Sequence, residues 1–199
     1  MIEQRLAEQG LYVDVLVNNA GVGISGPFTG SAPEDVECLM ALNIAALTRL
    51  MRRFLPAMCL RGRGGVLNVA SLGGFTPGPY QAAYYASKAY VIVLTEAVAW
   101  EARGQGVRLS VLVPGPVETE FHRRMGSESA LYRKLLWSPP PERVARAAYW
   151  GYLWGRCIVA PGPVSYLAAL VTRITPHTVL IPMIAFLLKP RGDSRHVRR

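Results

Sequence analysis

The chain has 199 residues, 51% hydrophobic and 18% charged; that is one ordinary domain's worth of sequence, and too apolar for a disordered charged tail. Its 19 glycines and 15 prolines show no triplet period, which excludes collagen-like and low-complexity classes. The formal net charge of +9, from 22 Lys and Arg against 13 Asp and Glu, leaves nucleic acid, an anionic membrane surface and an anionic substrate to be weighed as partners.

Residues 1–10 are polar and charged and lack the pattern of a cleavable signal peptide. Val13–Val17 is a short apolar run and a predicted buried strand. Gly21-Val22-Gly23-Ile24-Ser25-Gly26 matches the G-x-G-x-x-G of dinucleotide sites. No helix opens at its last glycine, however, and the region about 20 residues on is helical rather than a strand ending in an acid, so the stretch is read as a loop. A helix is predicted over 33–60, with Ser31 ahead of Pro33, and Glu34 and Asp35 in the positive first turn. Gly62–Gly65 turns into a strand at Val66–Ala70. A helix over 81–103 closes at Arg103-Gly104, a strand follows at Val107–Val113, a helix over 139–154 and a strand at Cys157–Ala160. Strand–helix alternation with continuously apolar strands predicts an α/β fold with a parallel sheet covered on both faces.

The last part differs. Val164–Leu188 is apolar but broken by Arg173, Pro176, His177 and Pro182, and neither half reaches the about 20 residues of a spanning helix. Packed or surface-lying helices are expected, so 1–162 is taken as one domain and 163–199 as an apolar helical extension with a basic tail. That tail holds Lys189, Arg191, Arg195, Arg198 and Arg199 against the single acid Asp193. It reads as solvated, with contact to anionic lipid as the second reading. Cys38, Cys59 and Cys157 are odd in number, far apart and in no CxxC pair. This argues against a disulfide framework or a metal site and for a reducing compartment, so a cytoplasmic location is expected, with membrane association as the alternative.

The chemistry lies elsewhere. Tyr84 and Lys88 stand four apart in a helical segment and so share a face. An ammonium beside a phenol favours phenolate, and a tyrosine so tuned can exchange a proton with a carbonyl or alcohol. Ser71 ends a strand, where its hydroxyl can bond the same substrate oxygen. Asn43 sits in the apolar stretch Met40–Leu47 and needs a partner, which a water leading to Lys88 would supply. Singly, each has a plainer meaning: surface pair, turn residue, backbone cap.

Taken in order, Asn18-Asn19-Ala20-Gly21, Asn43 in Leu42-Asn43-Ile44, Ser71, Tyr84-Tyr85-Ala86-Ser87-Lys88 and Pro114-Gly115-Pro116-Val117-Glu118-Thr119 resemble the short-chain dehydrogenase/reductase family over roughly residues 1–160. The resemblance implies a Rossmann-like, doubly wound parallel sheet and hydride transfer between NAD or NADP and a small-molecule carbonyl/alcohol pair. It makes Tyr84 the acid/base, has Lys88 hold the nicotinamide ribose and lower the phenol's pKa, has Ser71 orient the substrate oxygen and gives Asn43 a proton-relay water. Asn19, Ala20 and Gly21 would border the adenosine. Pro114, Gly115, Val117 and Thr119 would embrace the carboxamide. The family also forms dimers or tetramers through the helices near Asn43 and Tyr84, so a homo-oligomer is expected.

That fold normally opens with a glycine-rich strand–loop–helix and two more strands. Val13–Val17 resembles its fourth strand, so roughly fifty to sixty residues and the pyrophosphate site are not found here. A fragment or mis-started reading is the expectation, with Val13–Val17 left as an exposed apolar edge. Pro116–Ser138, at the family's substrate loop, mixes Phe121, Leu131, Tyr132, Leu135, Leu136 and Trp137 with Arg123, Arg124, Arg133 and Lys134. This suits a lipid-like substrate with an anionic end, or an amphipathic helix packed on the domain. The competing reading is a non-catalytic remnant that binds a partner or a membrane surface. No nucleic acid is expected, because basic residues outside the tail form no aromatic-interleaved stripe. Lacking the phosphate loop, the 199-residue chain should bind NAD(P) weakly or not at all by calorimetry; micromolar affinity would contradict this.

Overall fold

The computed structural model describes residues 2–132 and 138–190. Helix α1 (Ile2–Glu8) leads to strand β1 (Val15–Asn18), and a loop brings the chain to α2 (Pro33–Met40). A π-helical turn, Ala41–Ala46, joins α2 to α3 (Leu47–Arg61), and β2 (Gly64–Val69) and α4 (Ala82–Glu101) follow. Next come β3 (Val107–Leu112), the single turn α5 (Phe121–Arg124), α6 (Pro141–Leu153) and the short β4 (Ile158–Val159). The predicted apolar extension forms α7 (Gly162–Ile174) and α8 (His177–Leu188), parted at Pro176. Pro182 does not end α8. It is the sixth of the helix's twelve residues, and α8 continues past it although its missing N–H removes an interior backbone bond.

The four strands pair in the order β1-β2-β3-β4, all parallel, as the strand–helix alternation predicts. Alternate side chains point to opposite layers. Leu16, Val66, Leu109 and Val111 pack with Leu47 and Met51 of α3 and Val91 and Ile92 of α4. Leu67, Val69 and Leu112 turn the other way, onto Val144 and Ala148 of α6. Because α6 packs on β3 and β4, that second layer does not reach β1. Val15 and Val17 are therefore 42% and 54% exposed, the bare apolar edge expected from the sequence.

The 33–60 helix is interrupted rather than continuous. Its first turn carries Pro33, Glu34 and Asp35 as predicted, but the N-cap is Ala32 and no side chain caps it. The π turn at Ala41–Ala46 breaks the regular ladder around Asn43, and such bulges concentrate at functional sites.

A polar chain crosses the core between β1, β2 and α4. Asn18 Nδ2 donates to Asn68 Oδ1 at 2.8 Å. Asn68 Nδ2 donates to Thr95 Oγ1 at 2.8 Å and meets Met51 Sδ at 3.2 Å. The Thr95 hydroxyl donates to the Val91 carbonyl at 2.6 Å. All three polar side chains are buried, so every donor removed leaves a partner stranded in low dielectric. Asn68→Ala should lower the unfolding free energy by about 2–4 kcal/mol in urea denaturation; a loss below about 0.5 kcal/mol would show the network to be dispensable.

Candidate active site

β2 ends at Val69, and the chain leaves the sheet through Ala70 and Ser71 into a 3₁₀ turn at Leu72–Phe75. Ser71 caps that turn, its Oγ accepting from the Gly73 N–H at 3.2 Å. From the neighbouring helix α4, Lys88 Nζ donates to the Val69 carbonyl at 3.0 Å, which ties the helix to the strand end. One turn earlier, the Tyr84 phenol faces the Ser71 side chain, whose hydroxyl favours the phenolate form. Lys88 Nζ lies 5.7 Å from the centroid of the Tyr84 ring. Three of the four predicted catalytic groups thus meet at one strand end.

Asn43 supports them from behind. It is 2% exposed; its Oδ1 accepts from the Val22 N–H and its Nδ2 donates to the Val22 carbonyl, each at 2.9 Å. Nδ2 also donates to Ser87 Oγ at 3.0 Å, and Ser87 donates to the Tyr84 carbonyl at 2.7 Å. The amide's protein partners are thus the 19–27 loop and α4. A second tie joins the same loop to the start of α4: the Gly26 N–H donates to the carbonyl of Tyr80, at 2.8 Å. Tyr80 is held at φ 67°, strained for a residue with a side chain. A Cβ on Gly21 would lie 3.2 Å from Asn43 Oδ1 and 3.3 Å from Lys88 Nζ, so a larger residue would press both groups back by a few tenths of an ångström. The G-x-G-x-x-G stretch is a loop, as read, and it forms part of the site wall.

Burial decides the electrostatics. It pushes the Tyr84 phenol up to about 12, with the Ser71 hydroxyl pulling weakly the other way. It pulls the Lys88 ammonium down to about 8. In the chain alone, desolvation outweighs the lysine's attraction for phenolate, so the expected lowering of the Tyr84 pKa is not realised.

These groups line a cleft of about 1100 Å³. Asn19, Ala20 and Gly21 border it from the loop after β1, and Pro114, Gly115, Val117 and Thr119 from the loop after β3. Both loops leave the carboxyl ends of parallel strands, where open α/β sheets bind ligands. The remaining wall is apolar: Phe121, Met125 and Tyr132, with Ile184 and Leu187 of α8. Of the predicted substrate-loop residues, Phe121 and Tyr132 reach the cleft, whereas Arg123 pairs with Glu120 at the surface. Arg133, Lys134, Leu135, Leu136 and Trp137 lie outside the described residues, as does the tail from Arg191.

Beside the predicted Tyr132, several contributors were invisible in the sequence, His122, Ser127 and Gln81 among them. His122 Nδ1 and the Tyr132 hydroxyl are 3.0 Å apart, and Tyr132 donates to buried Ser127 at 3.1 Å, a brace that holds the 121–132 loop against Tyr84 through Phe121. Gln81 lines the cleft with its Nε2 buried and unpartnered. Neither shows a spacing that marks it; Ser87 alone had a signal, being the first residue of the next turn after Tyr84.

The family described as short chain dehydrogenase matches residues 2–130, and the chain belongs to it. The chain is 40% identical over 105 residues to the ketoacyl reductase HetN of Nostoc sp., covering 53% of this chain and 37% of that protein. To the 2-(R)-hydroxypropyl-CoM dehydrogenase of Xanthobacter autotrophicus it is 33% identical over 144 residues, 71% of this chain and 58% of the other. To human 17-beta-hydroxysteroid dehydrogenase type 1 it is 38% identical over 113 residues, 57% and 34% respectively. The chain therefore spans about a third to three-fifths of the length of these curated relatives. A short-chain dehydrogenase of Sphingobium yanoikuyae solved with NADPH superimposes with a TM-score of 0.73 at 26% identity, over 100% of this chain and 73% of that one.

The Lys88 shift has a sign that can be checked. Between pH 8 and 10.5 the unfolded chain keeps a proton on this lysine that the folded chain has released. The penalty is full below that window and fades across it, so stability rises with pH by up to about 1.4 kcal/mol per unit. Urea midpoints across this range should show that rise in the native chain but not in Lys88→Met, which keeps the opposing Tyr84 contribution. Parallel pH curves would contradict a buried lysine.

Proposed function

We propose that this chain carries the proton-transfer machinery of an NAD(P)-dependent oxidoreductase that interconverts a carbonyl and an alcohol on a bulky, apolar, lipid-like substrate. The observation that carries the reading is the convergence of Ser71, Tyr84 and Lys88 on the wall of one apolar cleft. A nicotinamide, when bound, supplies or takes the hydride. The residues present fit that end of a dinucleotide: the close approach at Gly21 leaves backbone to meet a ligand, and Pro114, Gly115, Val117 and Thr119 border the same cleft. Among the described residues no glycine-rich turn opens a helix, so the pyrophosphate finds no anchor in them.

The chain's own residues account for the proton. A carbonyl oxygen placed between Ser71 and Tyr84 accepts from both hydroxyls. As it gains charge it takes the phenolic proton, and the Ser71 donor stabilises what has formed. Lys88, one turn from Tyr84, serves the ribose and, when charged, the phenolate. In the oxidative direction Tyr84 accepts the alcohol's proton. Phe121, Met125, Tyr132, Ile184 and Leu187 exclude water and favour a large apolar body. The names of the relatives, a ketoacyl reductase and a hydroxysteroid dehydrogenase, support a substrate of that kind. The bare β1 edge favours a second reading, a partner-binding module without turnover.

Reduction of a long-chain ketone at millimolar NAD(P)H, high enough to offset weak cofactor binding, should fall about 10²–10⁴-fold in Tyr84→Phe and roughly tenfold or more in Ser71→Ala. Turnover that survives Tyr84→Phe would refute the mechanism. No turnover from a chain that binds NAD(P)H with Tyr84 and Lys88 intact would favour the second reading.

A further inference from the structure

Gln81 carries a polar side chain that the proton transfer does not use. The residue is 3% exposed and lines the cleft, and its Nε2 is buried with no hydrogen-bond partner. Buried amides are ordinarily paired, so an orphaned one needs a reason. Among the described residues that line the cleft, no other has a buried side-chain polar atom left in this state.

A structural role does not supply the reason. Gln81 is the N-cap of α4, yet its side chain makes no capping bond. The backbone alone holds it: its N–H donates to the Gly78 carbonyl and its carbonyl accepts from the Tyr85 N–H, each at 3.0 Å. The strained Tyr80 stands directly ahead, with its own carbonyl tied to the Gly26 N–H. A leucine at 81 would keep both backbone bonds.

The neighbours define what the amide can meet. Ser71, Tyr84 and Lys88 are given to the reacting oxygen, and the Tyr132 hydroxyl donates to Ser127. Gln81 precedes Tyr84 by three residues, about 4.5 Å along the helix axis, and both line the same cleft. The last side-chain torsion of glutamine is broad and nearly two-fold, so the amide can turn its N–H groups to the cleft with the backbone unmoved. A donor set one turn from the phenol suits a ligand with two neighbouring oxygens, as in a 1,3-dicarbonyl.

We propose that Gln81 is a specificity residue: its amide donates to a second carbonyl oxygen, two carbons from the reacting one, so that the cleft favours 3-oxo esters or thioesters over plain ketones. This rests on the oxidoreductase reading and narrows it. A plain ketone that fills the cleft leaves the amide orphaned, whereas a 3-oxo ester satisfies it, and such unpaired polar groups are what make a site selective.

The test compares a long-chain 3-oxo ester with a plain ketone of the same length, at millimolar NAD(P)H. The two differ in intrinsic reactivity, so the quantity read is the change in the ratio of their kcat/KM values. Gln81→Leu, and Gln81→Glu with nearly the same shape, should each lower the ester-to-ketone ratio about tenfold, chiefly through the KM of the ester. An unchanged ratio would overturn the proposal. In urea, Gln81→Leu should unfold no earlier than the native chain, because it removes an amide without a partner; an earlier midpoint would reveal a structural bond and overturn it as well. A further readout needs no turnover. The Gln81 side-chain amide, assigned in ¹⁵N spectra by its loss in Gln81→Leu, should shift downfield with millimolar 3-oxo ester and much less with the ketone. No shift, or equal shifts, would again overturn the proposal. Turnover that behaves as expected while ratio and amide stay still sinks the specificity role alone. An amide that shifts in a chain whose turnover is absent or survives Tyr84→Phe sinks the oxidoreductase reading instead.

Discussion

The site depends on how α4 is seated against the end of β2. Two polar contacts set that seat: Lys88 Nζ on the Val69 carbonyl, and Thr95 on the Asn68 amide two turns further along. Apolar packing of Val91 and Ile92 would hold the helix near the sheet but would not choose its register. Directional bonds at both points do. With Lys88 held at Val69, the preceding helical turn brings Tyr84 opposite Ser71, two residues along the emerging chain. The phenol–hydroxyl pair is thus a consequence of helix geometry and one buried ammonium.

Burial serves this arrangement and also opposes it. Excluding water makes each hydrogen bond to a reacting oxygen stronger, yet it disfavours both charged forms, phenolate and ammonium. In the chain by itself the lysine loses its proton well before the tyrosine does. Below about pH 8 the pair is therefore an ammonium beside a neutral phenol, and no pH brings ammonium and phenolate together as an ion pair. Asn43 contributes by geometry. Through Val22 it holds the 19–27 loop, and through Ser87 it reaches the backbone of Tyr84. The π turn that carries it marks where the helix yields its regular ladder to make those contacts.

Much of this was legible beforehand because it follows from period. Continuous apolar runs named the strands and the four-residue spacing put Tyr84 and Lys88 on one face, while the unpaired edge at Val13–Val17 followed from the strand order that the family resemblance implies. What was hidden depends on residues distant in sequence. No local pattern says that Asn43 will meet Val22, or that Asn18, Asn68 and Thr95 will join. Spacing likewise cannot weigh desolvation against a neighbouring charge, so the direction of the Tyr84 shift was misjudged. His122, Ser127 and Gln81 matter only through a loop conformation that composition does not encode. Ala32 shows the weakness of single-residue rules at a helix end, where a cap is absent, and Pro182 shows that an interior proline need not end a helix.

The central claim is that phenol and hydroxyl meet inside a desolvated cleft. ¹³C NMR titration of ζ-labelled tyrosine, with the Tyr84 resonance assigned through Tyr84→Phe, tests it most directly. Tyr84 should titrate near pH 12 rather than near 10, and Ser71→Ala should move it higher still, because the phenolate loses a donor. A Tyr84 that titrates near 10 and ignores the loss of Ser71 would place the two groups apart, and the catalytic account would fail with it.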